Sequence, residues 1–229
     1  GSILSPMLAN VFLHYVLDTW FNSVVKNHVG GFCEIVRYAD DFVSVVQYAE
    51  DAARIERALK SRFGRYGLEI HPTKSRNISF GRYERQNAER QNRRPNTFDY
   101  LGFTHFCDLS RRGKFKIGRR TSRKKFAAKC KAMNDWLGEI RNKVETKEWW
   151  KILKAKVRGH IQYYGVSENY ASIAKFYKIT VQLTHKWLNR RSQKKKMNWE
   201  KFTHYLECYP LPKPKIVHNF YVWPKCPES

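Results

Sequence analysis

Apolar positions follow a helical period at the start of the chain and a strand-like pattern soon after. Ser5 and Pro6 suit a helix start, and the spacing that follows predicts a helix over about 6–25. Its apolar positions are Leu8, Val11, Phe12, Tyr15 and Val16. Two β-favouring runs within 33–47 predict a hairpin. Helical spacing returns from Glu50 and predicts a second helix that ends at Gly67.

The next fifty residues alternate between short apolar runs and polar stretches. We predict short strands over 68–70 and 75–80, and an exposed, mobile loop over 81–97. A further strand is expected over 98–106, followed by a turn at 108–113 and a strand over 114–117. Together with the first helices and the hairpin, this order predicts an α+β fold.

The pattern becomes helical from about residue 121. Candidate helices cover 121–143, 147–165, 169–190 and 198–208, before a proline-rich stretch at 210–214. The apolar tail over 216–223 is expected to dock back on the body of the protein. A boundary near Gly118 therefore predicts two domains, a mixed α/β domain over 1–118 and a helical domain over 119–229.

The charge of the chain points to a polyanionic partner. Its 229 residues carry 44 Lys and Arg against 20 Asp and Glu, a net charge of +24. Nucleic acid is the first expectation and a membrane surface the alternative. There is no apolar run long enough to span a bilayer and no signal-peptide pattern. The five cysteines lack zinc-ligand spacing, which favours reduced thiols in an intracellular, cytoplasmic protein.

Two adjacent carboxylates lie at the predicted hairpin turn. The stretch Tyr38-Ala39-Asp40-Asp41 separates the two β-favouring runs. Mg²⁺ prefers oxygen ligands and is usually held by one or two carboxylates together with substrate phosphates. The alternative is an ordinary turn, since aspartate favours turns through its own local hydrogen bonds.

Four motifs in a fixed order resemble those of reverse transcriptases. They are Gly-Ser-Ile-Leu-Ser-Pro at 1–6, Tyr-Ala-Asp-Asp at 38–41, Gly-Leu-Glu-Ile at 67–70 with Pro72 and Lys74, and Tyr-Leu-Gly-Phe at 100–103. Their form is most similar to the reverse transcriptase/maturases encoded by group II introns. The later stretches around Arg158, Tyr163, Trp187 and Trp199 resemble the thumb and maturase segment of that family. The resemblance implies the C-terminal part of a polymerase palm, an antiparallel sheet with helices, followed by an all-helical thumb/maturase domain.

The resemblance also implies roles for individual residues. Asp40 would be the principal ligand of two Mg²⁺ ions, and Asp41 a secondary one. Gly1, Tyr38 and Lys74 would lie near the incoming nucleotide, with Tyr38 packing close to the primer end. Leu101 and Gly102 would form the primer grip. Lys74 is as readily explained as a solvated loop lysine, and Gly102 as a glycine in a packed strand.

Basic residues of the helical part form the expected RNA-binding surface. They are Arg119, Arg120, Arg123, Lys124, Lys125, Arg158, Arg190, Arg191, Lys194 and Lys195. The alternative is a solvated charged face. The aromatic residues among them are more often core than base-stacking platforms at this helical spacing.

The family's active site needs a further aspartate upstream of Gly1. We therefore expect this chain alone to lack polymerase activity, as a fragment, a natural truncation or one half of a split enzyme completed by an upstream fingers/palm segment. The expected function is RNA-directed DNA synthesis together with maturase binding of a structured intron RNA. Its partners would be that group II intron RNA, an RNA/DNA primer-template duplex and a dNTP. The alternatives are a splicing maturase without polymerase activity and a cellular reverse transcriptase co-opted for defence or repair.

Overall fold

A computed structural model describes residues 4–191 and 197–221 of the chain. Its helices and two small antiparallel sheets confirm the predicted α+β class. The chain divides into two units, Gly1–Ser79 and Phe80–Ser229, which we call the N-terminal and C-terminal units. No helix in the described ranges is both long and apolar enough to cross a membrane.

The first predicted helix has the expected extent but changes its hydrogen bonding along its length. Helix α1 covers Leu4–Leu13, a π-helical stretch covers His14–Thr19, and α2 covers Trp20–Ser23, before a 3-10 turn at Val25–Asn27. The adjacent residues Val16 and Leu17 of the π-helical stretch are both buried in the core. The Arg62 guanidinium supports this stretch, because its Nε donates to the Val16 carbonyl at 2.6 Å.

The predicted hairpin and second helix complete the N-terminal unit. Strands β1 (Cys33–Tyr38) and β2 (Asp41–Val46) pair antiparallel, and α3 covers Ala49–Arg65. One face of the hairpin packs on helix residues through Ile35 and Phe42. Gly67 follows α3 with a φ of +67°, as expected for a residue that ends a helix.

Two predictions for residues 68–97 are wrong. No strand forms over 68–70 or 75–80; Leu68 and Ile70 pack against the core beside α3 without a strand partner among the described residues. The stretch predicted as a mobile loop contains α4, Glu84–Arg90. Glu84 is buried there because Arg93 pairs with its carboxylate at 2.6 Å and the Asn96 N–H donates to it at 2.8 Å.

The strand predicted over 98–106 is in fact two strands. Strand β3 covers Thr97–Tyr100 and β4 covers Phe103–Leu109, with Leu101 and Gly102 forming the turn between them. Strand β5, Phe115–Thr121, extends this sheet in the order β3-β4-β5 and is longer than the predicted 114–117. All three strands belong to the C-terminal unit.

Four longer helices follow, close to the predicted ranges. They are α5 (Arg123–Ile140), α6 (Thr146–Tyr164), α7 (Tyr170–Asn189) and α8 (Trp199–Cys208). Their apolar faces share one core, in which Leu153, Val157 and Phe202 are fully buried. Most aromatic residues of this part, such as Trp149 and Trp150, therefore pack in the core, as their spacing predicted.

The two compact units join at residues 79 and 80. Within the C-terminal unit, the end of β5 is bonded to the helices. Asn169, which is fully buried, accepts from the Thr121 N–H at 2.8 Å and donates to the Tyr164 carbonyl at 2.8 Å. The assignment of residues 1–118 and 119–229 to palm and thumb functions stays a prediction.

The described part of the C-terminal tail docks on the α6–α7 connection, as predicted. The Ser167 N–H donates to the His218 carbonyl at 3.0 Å, and the Val217 N–H donates to the Gly165 carbonyl at 2.6 Å. The four cysteines in the described ranges, Cys33, Cys107, Cys130 and Cys208, are free.

Candidate active site and nucleic-acid surface

The carboxylate pair lies at the tip of the β1–β2 hairpin. Tyr38 and Asp41 are cross-strand partners, so Ala39 and Asp40 form a two-residue loop. Ala39 has a φ of +54°, and a positive φ at the first loop position is typical of tight hairpin turns. Asp40 and Asp41 are exposed, and neither carboxylate has a protein partner among the described residues.

A guanidinium beneath the turn fixes its conformation. Arg37 lies on the packed face of β1, where its Nε and Nη2 donate to the two carboxylate oxygens of Asp18 at 2.8 and 2.6 Å. Its Nη1 also donates to the Ala39 carbonyl at 2.8 Å and to Asn10 at 3.0 Å. The hairpin turn is thus tied to the helix that precedes it. The Arg37 hydrogen bond is the largest influence that lowers the pKa of Asp18 below its ordinary value, so Asp18 remains charged at neutral pH.

The other aspartates of the N-terminal unit are already engaged. Asp18 is paired with Arg37, and the buried Asp51 accepts from the Gly30 N–H at 2.9 Å. Within the described residues, no three His, Cys, Asp or Glu side chains are grouped so that they could hold a metal ion. Asp40 and Asp41 therefore supply two carboxylates that no other described residue occupies. Two carboxylates alone do not complete the coordination of Mg²⁺, so the remaining oxygen ligands must come from substrate, water or another segment.

The remaining residues predicted near the nucleotide are placed as follows. Tyr38 is 66% exposed and shares the outer face of the hairpin with Asp41, its cross-strand partner. Lys74 is exposed at the end of a turn in which its N–H bonds the His71 carbonyl at 3.3 Å. Gly1 lies outside the described residues.

The residues predicted to form the primer grip make a second tight turn, in the C-terminal unit. Leu101 and Gly102 both have positive φ, +48° and +80°. Tyr163 of α6 donates its hydroxyl to the Leu101 carbonyl at 2.9 Å, and the Ser122 N–H donates to the Gly102 carbonyl at 2.9 Å. Both carbonyls are thus engaged within the unit, and the turn is held by the first residues before α5 and by the end of α6.

Five of the predicted RNA-binding residues are consecutive or nearly so, around the start of α5. Arg119 and Arg120 lie on β5, while Arg123, Lys124 and Lys125 form the exposed first turn of the helix. The Ser122 hydroxyl caps this helix, and no acidic residue is present in its first turn. The helix dipole makes the start of a helix positive and usually favours an acidic side chain there. The basic first turn of α5 instead adds to this positive potential.

The other basic residues are more widely spread. Arg158 is exposed on α6, and Arg190 and Arg191 are exposed directly after α7. Lys194 and Lys195 lie outside the described residues. The carboxylate hairpin and Lys74 belong to the N-terminal unit, whereas the Leu101–Gly102 turn and all the described basic residues of this set belong to the C-terminal unit.

Sequence reasoning missed three residues that organise these features. They are Arg37, Asp18 and Asn169. The alternation of side chains along β1 could have indicated the role of Arg37. Arg37 falls on the same face as Cys33 and Ile35, which packs against the core, and a charged side chain on that face needs a partner. No local pattern indicates its partner, which lies 19 residues earlier.

Residues 1–105 match the model of the reverse transcriptase (RNA-dependent DNA polymerase) family. The match includes α1, both carboxylates and the Leu101–Gly102 turn, and it ends within β4. The comparison with curated proteins finds no significant match, and neither does the comparison with solved structures. The segment that carries the carboxylate hairpin is therefore the segment that is similar to the reverse transcriptase family.

Proposed function

We propose that this chain supplies the carboxylate hairpin and a nucleic-acid-holding surface of an RNA-directed DNA polymerase of the group II intron reverse transcriptase/maturase type. The observation that carries the proposal is the pair of exposed carboxylates, without a partner among the described residues, at a turn that Arg37 bonds inside the matched segment. Two aspartates that are free while their neighbours are paired are available for a ligand.

Asp40 and Asp41 would hold Mg²⁺ together with the phosphates of the incoming dNTP. Bound Mg²⁺ would activate the primer 3′-hydroxyl and stabilise the leaving pyrophosphate, as in two-metal phosphoryl transfer. Tyr38, on the same face as Asp41, would contact the primer end, and Gly1 and Lys74 would contact the nucleotide. The Leu101–Gly102 turn would position the primer strand.

The set of ligands is completed, in this proposal, by a carboxylate from a segment upstream of Gly1 or from a separate chain. The two free carboxylates and the lack of a third ligand near them among the described residues support this. Nucleotide incorporation is therefore expected only when such a reverse transcriptase segment is present.

Primer extension on an RNA template tests the proposal. The chain, supplied with an upstream fingers/palm segment in trans or by fusion, is expected to extend a DNA primer in the presence of Mg²⁺ and dNTPs. Omission of either the segment or Mg²⁺ should abolish extension. A lack of extension in the complete mixture, with both proteins folded and the duplex bound, would refute the polymerase function.

A second candidate function is RNA binding that assists intron splicing, without DNA synthesis. The basic first turn of α5 favours it, because Arg123, Lys124 and Lys125 are exposed and no acid offsets them there. A splicing assay separates the two functions. If Asp40→Ala abolishes splicing while replacement of those three residues by glutamine does not, RNA binding through the first turn of α5 is excluded as the basis of splicing.

A further inference from the structure

Trp187 is held firmly near the end of α7. Its indole ring lies against Gly138 of α5, where an added Cβ would approach the ring to 3.1 Å. The indole Nε1–H donates to the Asn134 side-chain oxygen at 3.1 Å. A larger residue at 138 would displace the ring, so Gly138 and Asn134 hold the Trp187 indole in one position.

Three cationic groups surround this ring. The Arg141 and Arg190 guanidinium carbons lie 4.7 and 5.2 Å from the ring centroid, and the Lys186 Nζ lies 5.0 Å from it. We call these three residues with Trp187 the Trp187 cluster. Each cation is attracted by the indole, and Trp is the most favourable ring for this contact.

The positive charge of the cluster is not neutralised by acids. Across residues 4–191 and 197–221, none of the three cations forms an ion pair with a carboxylate. All three lie within 5.2 Å of the same centroid, so no two are separated by more than twice that distance. Like charges at such separations repel, and a bound anion would relieve the repulsion.

The three cations of the Trp187 cluster lie near helix ends and keep N–H donors that are not bonded to protein groups among the described residues. The cluster lies where α5 and α7 end, and helix C-termini favour positive charge. Lys186 has one neutral hydrogen-bond contact, to Asn134 at 3.5 Å. Lys186 and Arg190 are exposed to solvent. Preorganised donors of this kind suit phosphate oxygens.

We propose that the Trp187 cluster is a contact site for the phosphodiester backbone of nucleic acid. This inference rests on the proposed function, since it names the surface by which the C-terminal unit holds its template or intron. The indole acts as a scaffold for the cations and is not available for base stacking. Binding at this site is therefore independent of base sequence and sensitive to salt.

Binding to a labelled nucleic-acid duplex across a series of salt concentrations tests the inference. The variant combines Arg141→Gln, Lys186→Gln and Arg190→Gln. The control combines Arg57→Gln, Lys60→Gln and Lys151→Gln, three exposed positions outside the cluster that change the net charge equally. The cluster variant should bind at least about tenfold more weakly than the control, and its log-log salt slope should fall by about 0.9 for each phosphate that the variant no longer neutralises.

A charge-preserving variant distinguishes loss of the site from loss of the fold. Arg141→Lys with Arg190→Lys should retain most of the wild-type salt slope, and thermal unfolding reports whether each variant is folded. If folded cluster and control variants lose affinity equally, the inference is wrong although the proposed function stands. If the wild-type chain shows no binding to nucleic acid, both are wrong.

Discussion

Arg37 shows how a single side chain can determine the geometry of a turn. Its guanidinium is bidentate to Asp18, with both side chains largely shielded from solvent, and also bonds the carbonyl of Ala39 inside the turn. The positive φ of Ala39 is unfavourable for a residue with a Cβ. The bond from Arg37 helps to hold that conformation, and it thereby sets the direction of the neighbouring Asp40.

Replacing Arg37 by glutamine should destabilise the N-terminal unit. Asp18 would lose its charged partner in a partly buried position, at a cost of about 2 kcal/mol in the free energy of unfolding. Urea unfolding at neutral pH measures the change. The control Lys60→Gln removes an exposed pair with Glu56 and should cost less than about 1 kcal/mol.

The pH dependence of the same variant has a defined sign. The pKa of Asp18 is lowered in the folded state, so the pair stabilises the fold above the unfolded pKa and loses that effect as pH falls through the folded pKa. The difference between wild type and Arg37→Gln should therefore shrink in acid. A difference that stays constant down to acid unfolding would show that the pair is not its source.

His160 predicts a second pH effect, in the helical core. Burial, with a smaller contribution from Lys129, lowers the pKa of His160 to about 4, and its ring stacks on Phe176 with centroids 3.6 Å apart. The unfolded chain binds a proton near pH 6.5, so stability should fall by up to roughly 3 kcal/mol between that pH and 4. His160→Phe should flatten this part of the stability curve. Unfolding midpoints measured across the range check it, and an unchanged slope would contradict the assignment.

At the residue scale, the sequence was informative only where the chemistry is local. Asp40 and Asp41 adjoin each other between two β-favouring runs, so their place at a turn could be predicted. Arg37 and Asp18, which form an ion pair, are 19 positions apart, and Asn169 accepts a hydrogen bond from Thr121, 48 positions earlier. Nothing in the period of either segment specifies such a pairing, because it depends on how elements pack.

At the element scale, the Leu101–Gly102 turn replaces a predicted continuous strand. Gly102 adopts a φ of +80° and faces the Tyr164 hydroxyl, while Leu101 is held by Tyr163. Phe103 packs on the rings of both tyrosines. The turn is therefore held in place by its contacts with α6 and with the start of α5.

Gly102→Ala should destabilise the C-terminal unit more than Gly113→Ala. Both glycines have a positive φ, +80° and +71°, so the backbone cost of about 1 kcal/mol or more is shared. An added Cβ at 102 would also lie 3.2 Å from the Tyr164 hydroxyl oxygen, whereas nothing lies within 4 Å at 113 among the described residues. Thermal unfolding of the two variants measures the difference. Equal losses would show that the Tyr164 contact does not constrain the turn.

Helices were predicted well and short segments poorly, for a physical reason. The amphipathic period of α5, α6 and α7 extends over 18 or more residues, and one core buries all three apolar faces. The seven residues of α4 are too few to show such a period, and they bury only Ala88 and Glu84, whose carboxylate pairs with the partly exposed Arg93. Segment 68–80 has strand-like composition but no partner strand within the described residues.

At the scale of the whole molecule, charge and chemistry are divided between two units. The free carboxylates lie in the N-terminal unit, whereas the basic start of α5 and the Trp187 cluster lie in the C-terminal unit. A net charge of +24 attracts polyanions without specificity. The orientation of a bound nucleic acid depends instead on side chains that the fold holds in place. The family match covers the carboxylate part and not the helices after β5.

The most direct test of the proposed function is the rate of single-nucleotide incorporation on an RNA template by this chain together with an upstream reverse transcriptase segment. Asp40→Asn is compared with Asp135→Asn, an exposed helical aspartate that changes the net charge equally. Loss of a metal ligand worth several kcal/mol predicts that Asp40→Asn slows incorporation by at least about a hundredfold, while Asp135→Asn retains the wild-type rate. Equal rates for wild type and Asp40→Asn, with Mg²⁺ required in both, would contradict the assignment of the hairpin as the metal site.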